Sequence, residues 1–154
     1  AEQRLRVFGR RTGTPVTILR IPGIYASDRP GGHPRERLAR GTPVLAADDD
    51  VYTNHIHADD LAAIVVRAIA RDDAIGPINI ADDSAMPMGD WFDLVADRHG
   101  LPRPPRVARA EAERLLSPVL LSFMSESRRI DNTRMKALFG PLAYPTVHEG
   151  VPRP

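Results

Sequence analysis

Apolar positions recur along this chain with two different spacings, and the alternation between them predicts the order of elements. Over residues 2–11, Leu5 and Phe8 share a helical face with Ala1; Glu2 stands near the start, Arg10 and Arg11 near the end, and Gly13 just beyond. Residues 16–21, Val16-Thr-Ile-Leu-Arg-Ile21, show no polar alternation and read as a strand covered on both faces, running into Pro22-Gly23. Residues 26–33 are rich in Gly, Pro, Ser and Asp and read as loop. A short helix over 34–40 follows, with Pro34 in its first turn and Gly41 at its end. A small strand over 42–46, a solvated acidic turn at 48–50 and a strand over 52–57 come next. Leu61, Ile64, Val65, Ala68 and Ile69 then fall at i, i+3, i+4, i+7 and i+8, the core stripe of a helix that Asp59 or Asp60 is expected to cap.

Further on, a buried strand over 78–80 precedes a loop at 82–84 and a helix from 87. That helix shows an apolar face of Met88, Trp91, Phe92 and Val95 and ends at Gly100. The proline-rich 101–105 reads as a stiff connector. A helix over 111–116 stops before Pro118, and the apolar run 119–124 must be buried or covered by a partner. The last helix, 133–139, takes Asp131 or Asn132 as its cap and ends at Gly140. Helix before strand, repeated, predicts an α/β doubly wound fold, in which ligands bind beyond the carboxyl ends of strands.

Pro22-Gly23 lies at such an end. Pro22 offers no N–H and Gly23 no Cβ, so a flat ligand ring can approach the main chain there; an ordinary strand-ending turn is the competing reading. His55 and His57, two apart on a strand, face the same way and resemble the His-x-His pairs that hold zinc. No third and fourth ligands stand at recognisable spacing among the five histidines, and Asp48-Asp-Asp50 lacks the alternation of a calcium loop, so no metal is expected. Trp91 reads as a core anchor rather than a stacking platform. Arg128 or Arg129, beside Ser125 and Ser127, could clamp an anion or simply face solvent.

With 154 residues, 42% hydrophobic and 27% charged, the chain has the balance of one soluble globular domain. A net charge of +1 leaves no electrostatic footprint for nucleic acid or an anionic membrane. The absence of cysteine excludes disulfides and thiolate metal sites, no apolar run approaches the ~18 residues of a membrane span, and a cytoplasmic location is expected. Lys136, the only lysine, is the one candidate for any lysine-dependent chemistry.

Taken together, Arg20-Ile-Pro-Gly-Ile-Tyr25, Asn54-His-Ile-His-Ala-Asp-Asp-Leu-Ala62, Asn79-Ile-Ala-Asp-Asp83, Ser127-Arg-Arg-Ile-Asp-Asn132 and the closing Met135-Lys-Ala-Leu-Phe-Gly140 resemble the C-terminal part of extended short-chain dehydrogenases, the NAD-dependent epimerase/dehydratase family. The resemblance implies the C-terminal part of a Rossmann-like doubly wound fold with a small substrate-binding subdomain. Residues 1–80 would end the Rossmann-like domain; 81–154 would mainly form the subdomain, with 22–58 lending loops to the cleft. In the family, the positions matching Pro22, Gly23, Ile24 and Tyr25 border the nicotinamide end of NAD or NADP, and those matching Tyr52, Thr53, Asn54 and Arg128 line the substrate side. Helices matching 2–11 form subunit contacts in many members, so a homodimer is implied.

Several departures qualify the match. No glycine-rich turn occurs, so the phosphate cradle at a helix N-terminus is missing. No Tyr-x-x-x-Lys pair occurs either: Tyr25, Tyr52 and Tyr144 are followed four residues on by Arg29, Ile56 and His148, and Asn132 precedes Lys136. No residue of this chain is therefore assigned a catalytic role. Thr53 stands where many members carry an arginine that grips a nucleotide-sugar phosphate, which disfavours such substrates. Nothing caps the helix before Ala1, and a longer parent chain is expected. The expected function is the small-molecule substrate-binding portion of an NAD(P)-dependent oxidoreductase or epimerase, incomplete as a catalyst. The alternative is a non-catalytic binding or interaction module on the same fold segment, and a metal-dependent hydrolase using His55, His57 and Asp59 ranks last.

Overall fold

In the computed structural model, residues 1–28 and 34–152 are described; most of the loop expected over 26–33 lies outside them. The elements run α1 (Glu2–Thr12), β1 (Thr17–Arg20), β2 (Gly23–Tyr25), α2 (Arg35–Ala39), β3 (Val44–Leu45), β4 (Tyr52–Thr53), β5 (His55–His57) and α3 (Ala58–Ile69). They continue as β6 (Gly76–Asn79), β7 (Met86–Pro87), α4 (Met88–His99), β8 (Arg106–Val107), α5 (Arg109–Leu115), α6 (Pro118–Phe123), α7 (Thr133–Phe139) and α8 (Val147–Gly150).

The β-branched stretch forms β1 as its pattern predicts, paired in parallel with β6 so that Leu19 stands opposite Ile78. The strand does not end at the proline. Pro22 cannot donate to a ladder, but after that single interruption Gly23 N–H donates to Asn54 O at 3.2 Å and the chain resumes as β2, parallel to β5 with Ile24 opposite Ile56. Because β5, α3 and β6 follow one another, the parallel pairs are linked by a helical crossover, the unit from which doubly wound sheets are built. Two smaller pairs complete the topology, β3 parallel to β8 and β4 antiparallel to β7.

Two cores interleave along the sequence. One gathers Ile56, Ile64, Ile78, Ile80, Met135 and Phe139, so that α7, late in the chain, packs on the same core as β5, α3 and β6. The other gathers Tyr25, Leu45, Trp91, Val95, Met124 and Val147. β2 is the seam: successive side chains of a strand point to opposite faces, and Ile24 packs against the first core while Tyr25 is buried in the second. Gly150 fits there, since a Cβ at that position would overlap the Tyr25 hydroxyl.

Several elements depart from expectation for identifiable reasons. The apolar stripe of α3 is wider than the core beneath it: Ile64 is buried, but Ile69 is 82% exposed. The cap of α3 is His57, whose Nδ1 accepts from Asp59 N–H at 3.3 Å; Asp60 turns inward and accepts from Ala143 and Tyr144 N–H at 2.7 and 2.9 Å. The acidic turn is not simply solvated. Asp50 accepts from Gly89 N–H at 2.9 Å in the first turn of α4, and Asp49 from Arg109 N–H at 2.7 Å, so two of the three carboxylates satisfy orphan donors at helix starts distant in sequence. The run 119–124 lies mostly within α6, with Met124 buried and Val119 and Phe123 exposed. At α7 it is Asp131 that accepts from Thr133 N–H, at 2.7 Å, while the Asn132 amide reaches across to Ala81 O and Asp83. β7, β8 and α8 carry too little periodicity to be read from sequence.

Candidate functional site

At the carboxyl ends of β1 and β6 an open cleft of about 1070 Å³ is bounded by α2, α4 and the segment after α6. Pro22, Gly23, Ile24 and Tyr25 line it, and so do Tyr52, Thr53, Asn54 and Arg128. Residues far apart in sequence are brought together because the 127–130 segment is bound by the backbone of Tyr52 in β4 and by the side chain of Asn54, between β4 and β5. Tyr52 O accepts from Arg128 N–H at 3.3 Å and Tyr52 N–H donates to Ser127 Oγ at 3.1 Å. The Asn54 amide closes the strap, donating to Arg128 O and accepting from Ile130 N–H, both at 2.9 Å. Asn54 thus holds the wall in place and keeps only one amide hydrogen for anything in the cleft.

Gly23 has neither a positive φ nor a contact that excludes a side chain, since a Cβ added there would meet its nearest neighbours at 3.4 Å, so the backbone is bare here without the fold demanding it. Thr53 Oγ1 stands 3.4 Å from His55 Nε2. His55 is buried against Trp91, ring centroids 4.6 Å apart, and burial pushes its pKa down to about 4, so the imidazole is neutral across the physiological range. Tyr25 is 2% exposed, and burial, then the Asp82 carboxyl, push its phenol well above the usual range, which suits it to packing rather than proton transfer. Trp91 is a core residue as expected, and it also lines the cleft.

The cationic groups behave differently from one another. Arg128 is exposed and ion-paired with Glu126, and Arg129 stacks over the Tyr52 ring with its guanidinium carbon 3.9 Å from the centroid. Arg20 forms two hydrogen bonds with Glu2, at 2.7 and 2.8 Å. Lys136 is bound by both oxygens of Asp83 at 2.5 and 2.7 Å, outside the cleft lining. His57, the second half of the suspected zinc pair, packs on Tyr144 at 4.0 Å between centroids, and among the described residues no group of three metal-ligating side chains gathers. Sequence reading missed the α2 arginines, Arg37 and Arg40, as cleft residues. α2 reaches the cleft by packing on α4, which no spacing in the sequence signals.

No family model matches the chain. Among curated proteins it is 28% identical over 141 residues to a 3-diazoavenalumate denitrifying reductase from a Streptomyces species, covering 88% of this chain and 46% of that protein. It is also 28% identical over 113 residues to the dTDP-L-rhamnose 4-epimerase of Burkholderia thailandensis, covering 67% and 31%. The chain thus spans less than half the length of these relatives. Among solved structures, a conserved protein of unknown function from Silicibacter pomeroyi matches with a TM-score of 0.77 at 28% identity, over 95% of this chain and 50% of that one. The UDP-glucose 4-epimerase of Thermus thermophilus, solved in complex with NAD, matches with a TM-score of 0.69 at 19% identity, over 97% and 48%. In fold and in sequence alike, the chain is similar to part of the extended short-chain dehydrogenases of the NAD-dependent epimerase/dehydratase family.

Proposed function

We propose that this chain builds the substrate side of the active-site cleft of an NAD(P)-dependent oxidoreductase or epimerase of the short-chain dehydrogenase type. The observation that carries the proposal is the convergence on one cleft, at the carboxyl ends of parallel strands, of two quartets of residues that lie far apart in sequence. Pro22, Gly23, Ile24 and Tyr25 would border the nicotinamide of NAD or NADP. Tyr52, Thr53, Asn54 and Arg128 would face the small-molecule substrate, with Asn54 acting mainly by fixing the segment that carries Arg128. The two cores support a division in which 1–80 end the Rossmann-like part and 81–154 mainly build the substrate-binding part, 22–58 lending loops and α7 returning to the first core.

Chemistry within the cleft needs groups this sequence does not contain. A glycine-rich turn supplies backbone donors and a helix dipole to the pyrophosphate, and a tyrosine beside a lysine moves the proton. The chain alone is therefore expected to bind NADH and NADPH at least about tenfold more weakly than the product of the full reading frame. Titration calorimetry on both proteins measures this, and equal affinities would favour the non-catalytic binding module instead. A cytoplasmic location is proposed for the parent, with which this chain's lack of cysteine is consistent; among the described residues no helix is long and apolar enough to cross a membrane.

The parent is further proposed to be a homodimer. No residue of α1 is buried, Leu5 and Phe8 are 46% and 53% exposed, and Val65, Val66 and Ile69 leave a second apolar face open on α3. Covering each large side chain is worth ~2 kcal/mol, which favours a twofold contact through α1. Sedimentation of the full-length protein is expected to give a dimer that Phe8→Glu dissociates. A wild-type monomer at high concentration would sink this part of the reading.

A further inference from the structure

The polar side chains around the cleft are largely committed to this chain itself. Thr53 Oγ1 donates to Met86 O at 3.4 Å, the Asn54 amide is taken up by the 127–130 segment, and the Asn79 amide donates to Asp131 O at 3.2 Å. Ser122 Oγ donates to Val119 O at 2.7 Å within its own helix. Three of the cleft arginines face carboxylates: Arg20 meets Glu2 at 2.7 Å, Arg40 meets Glu36 at 3.9 Å, and Arg128 is ion-paired with Glu126. A sugar carries a hydroxyl on most of its carbons, and each one withdrawn from water needs a donor or acceptor in return. The cleft has few to offer.

Apolar surface, by contrast, stands open there. Phe123, at the end of α6, is 65% exposed and Ile130 is half-buried; both line the cleft, and neither belongs to either core. Packing does not explain the placement of Phe123, because α6 is anchored by Leu120 and Leu121 against the second core and by Met124, buried just past its end. A small molecule is the occupant that fits. Phe123 stands in a concavity of about 1070 Å³ beyond the carboxyl ends of parallel strands, where α/β folds hold small ligands, and such sites are mostly apolar with few polar groups. An aromatic side chain there gains most from another ring, which it can meet by edge or by offset face. We propose that the substrate is a hydroxyl-poor molecule built on an aromatic ring system, and that Phe123 and Ile130 are the specificity-determining residues that hold the ring.

This inference rests on the cleft being a substrate site, and its test keeps the two ideas apart. The product of the full reading frame is first titrated with NADH and then, with NADH saturating so that the nicotinamide place is filled, with 2-naphthol, methyl β-glucoside and UDP-glucose. 2-Naphthol is expected to bind at least about tenfold more tightly than either sugar. Phe123→Ala should weaken 2-naphthol about fivefold and Phe123→Trp should preserve its binding, while Val119→Ala, on the same helix but outside the cleft lining, should leave it unchanged. Ile130→Thr, which keeps the shape but not the apolar character, should weaken it about threefold and serves as the readout if the alanine variant fails to fold. A sugar that binds as tightly as 2-naphthol, or affinities of the Phe123 and Ile130 variants equal to wild type, overturn the proposal, and retained NADH binding then leaves the dehydrogenase reading standing. A Phe123→Ala protein that changes its sedimenting mass and keeps its affinity for 2-naphthol overturns it too, by assigning Phe123 to a contact between subunits. Failure of the wild type to bind NADH counts against the dehydrogenase reading instead.

Discussion

Asp60→Ala should cost the folded protein roughly 3 kcal/mol, enough to shift a urea midpoint plainly. Asp60 is 5% exposed, although it sits in the first turn of a helix where a solvated carboxylate would be ordinary. It is turned inward because the chain from Gly140 onward brings two backbone donors to it, Ala143 and Tyr144 N–H at 2.7 and 2.9 Å. Hydrogen bonds to a charged acceptor are worth about twice neutral ones, and deleting the acceptor strands two donors that the fold has withdrawn from water. The consequence reaches further than one loop: residues 143–150 lead into α8, which backs Tyr25 and so supports the wall of the cleft. Asp60→Asn, which retains one acceptor oxygen, should recover part of the loss. A midpoint for Asp60→Ala equal to wild type would show that water replaces the carboxylate at no cost.

The same residue shows where sequence reading succeeds and where it stops. That a helix begins near 58–60 was legible, because the 3.6-residue stripe and the acids at its start act locally. That Asp60 would leave the cap to His57 was not, since the competing donors come from 83 and 84 residues further on. Asp49 and Asp50 repeat the lesson, for a run of three acids reads as solvent-facing until tertiary packing brings helix starts to it. Strand β1 was legible from its β-branched run, but its resumption as β2 after Pro22 was not, because the partner that restores the ladder is Asn54. The candidate site was legible as segments, through the likeness of their order to a family. The difference between Arg128, ion-paired with Glu126, and Arg37, seated over the Phe92 ring, is visible only in three dimensions.

Asp82→Asn should stabilise the protein, and only in neutral and alkaline solution. Asp82 is 5% exposed; its Oδ1 accepts from Ser84 N–H at 2.8 Å, and its Oδ2 is buried with no partner among the described residues. Burial raises its pKa to about 7, the Ser84 hydrogen bond opposes the shift, and the nearby carboxylates of Asp83 and Asp60 add to it. The folded state therefore holds a proton that the unfolded chain releases near pH 4, so the native state binds more protons between those values and stability falls as pH rises. Below about pH 4 both states are protonated and the residue carries no penalty; above about pH 7 the penalty is complete, of order 4 kcal/mol for a shift of about three units. An asparagine stays neutral, keeps an oxygen for Ser84 N–H and places an unpartnered N–H₂ where Oδ2 was, which returns part of the gain. The net expectation is about 2 kcal/mol of added stability at pH 8, shrinking toward nothing or below as pH approaches 4. Removing Asp60 would lower the Asp82 pKa and shrink the benefit, so the two substitutions should be non-additive. Urea midpoints for wild type, each single variant and the double variant across pH 4–8 measure both effects. An Asp82→Asn protein less stable than wild type at pH 8 would show that the buried carboxylate is held by a partner such as ordered water, so that its ionisation carries no penalty.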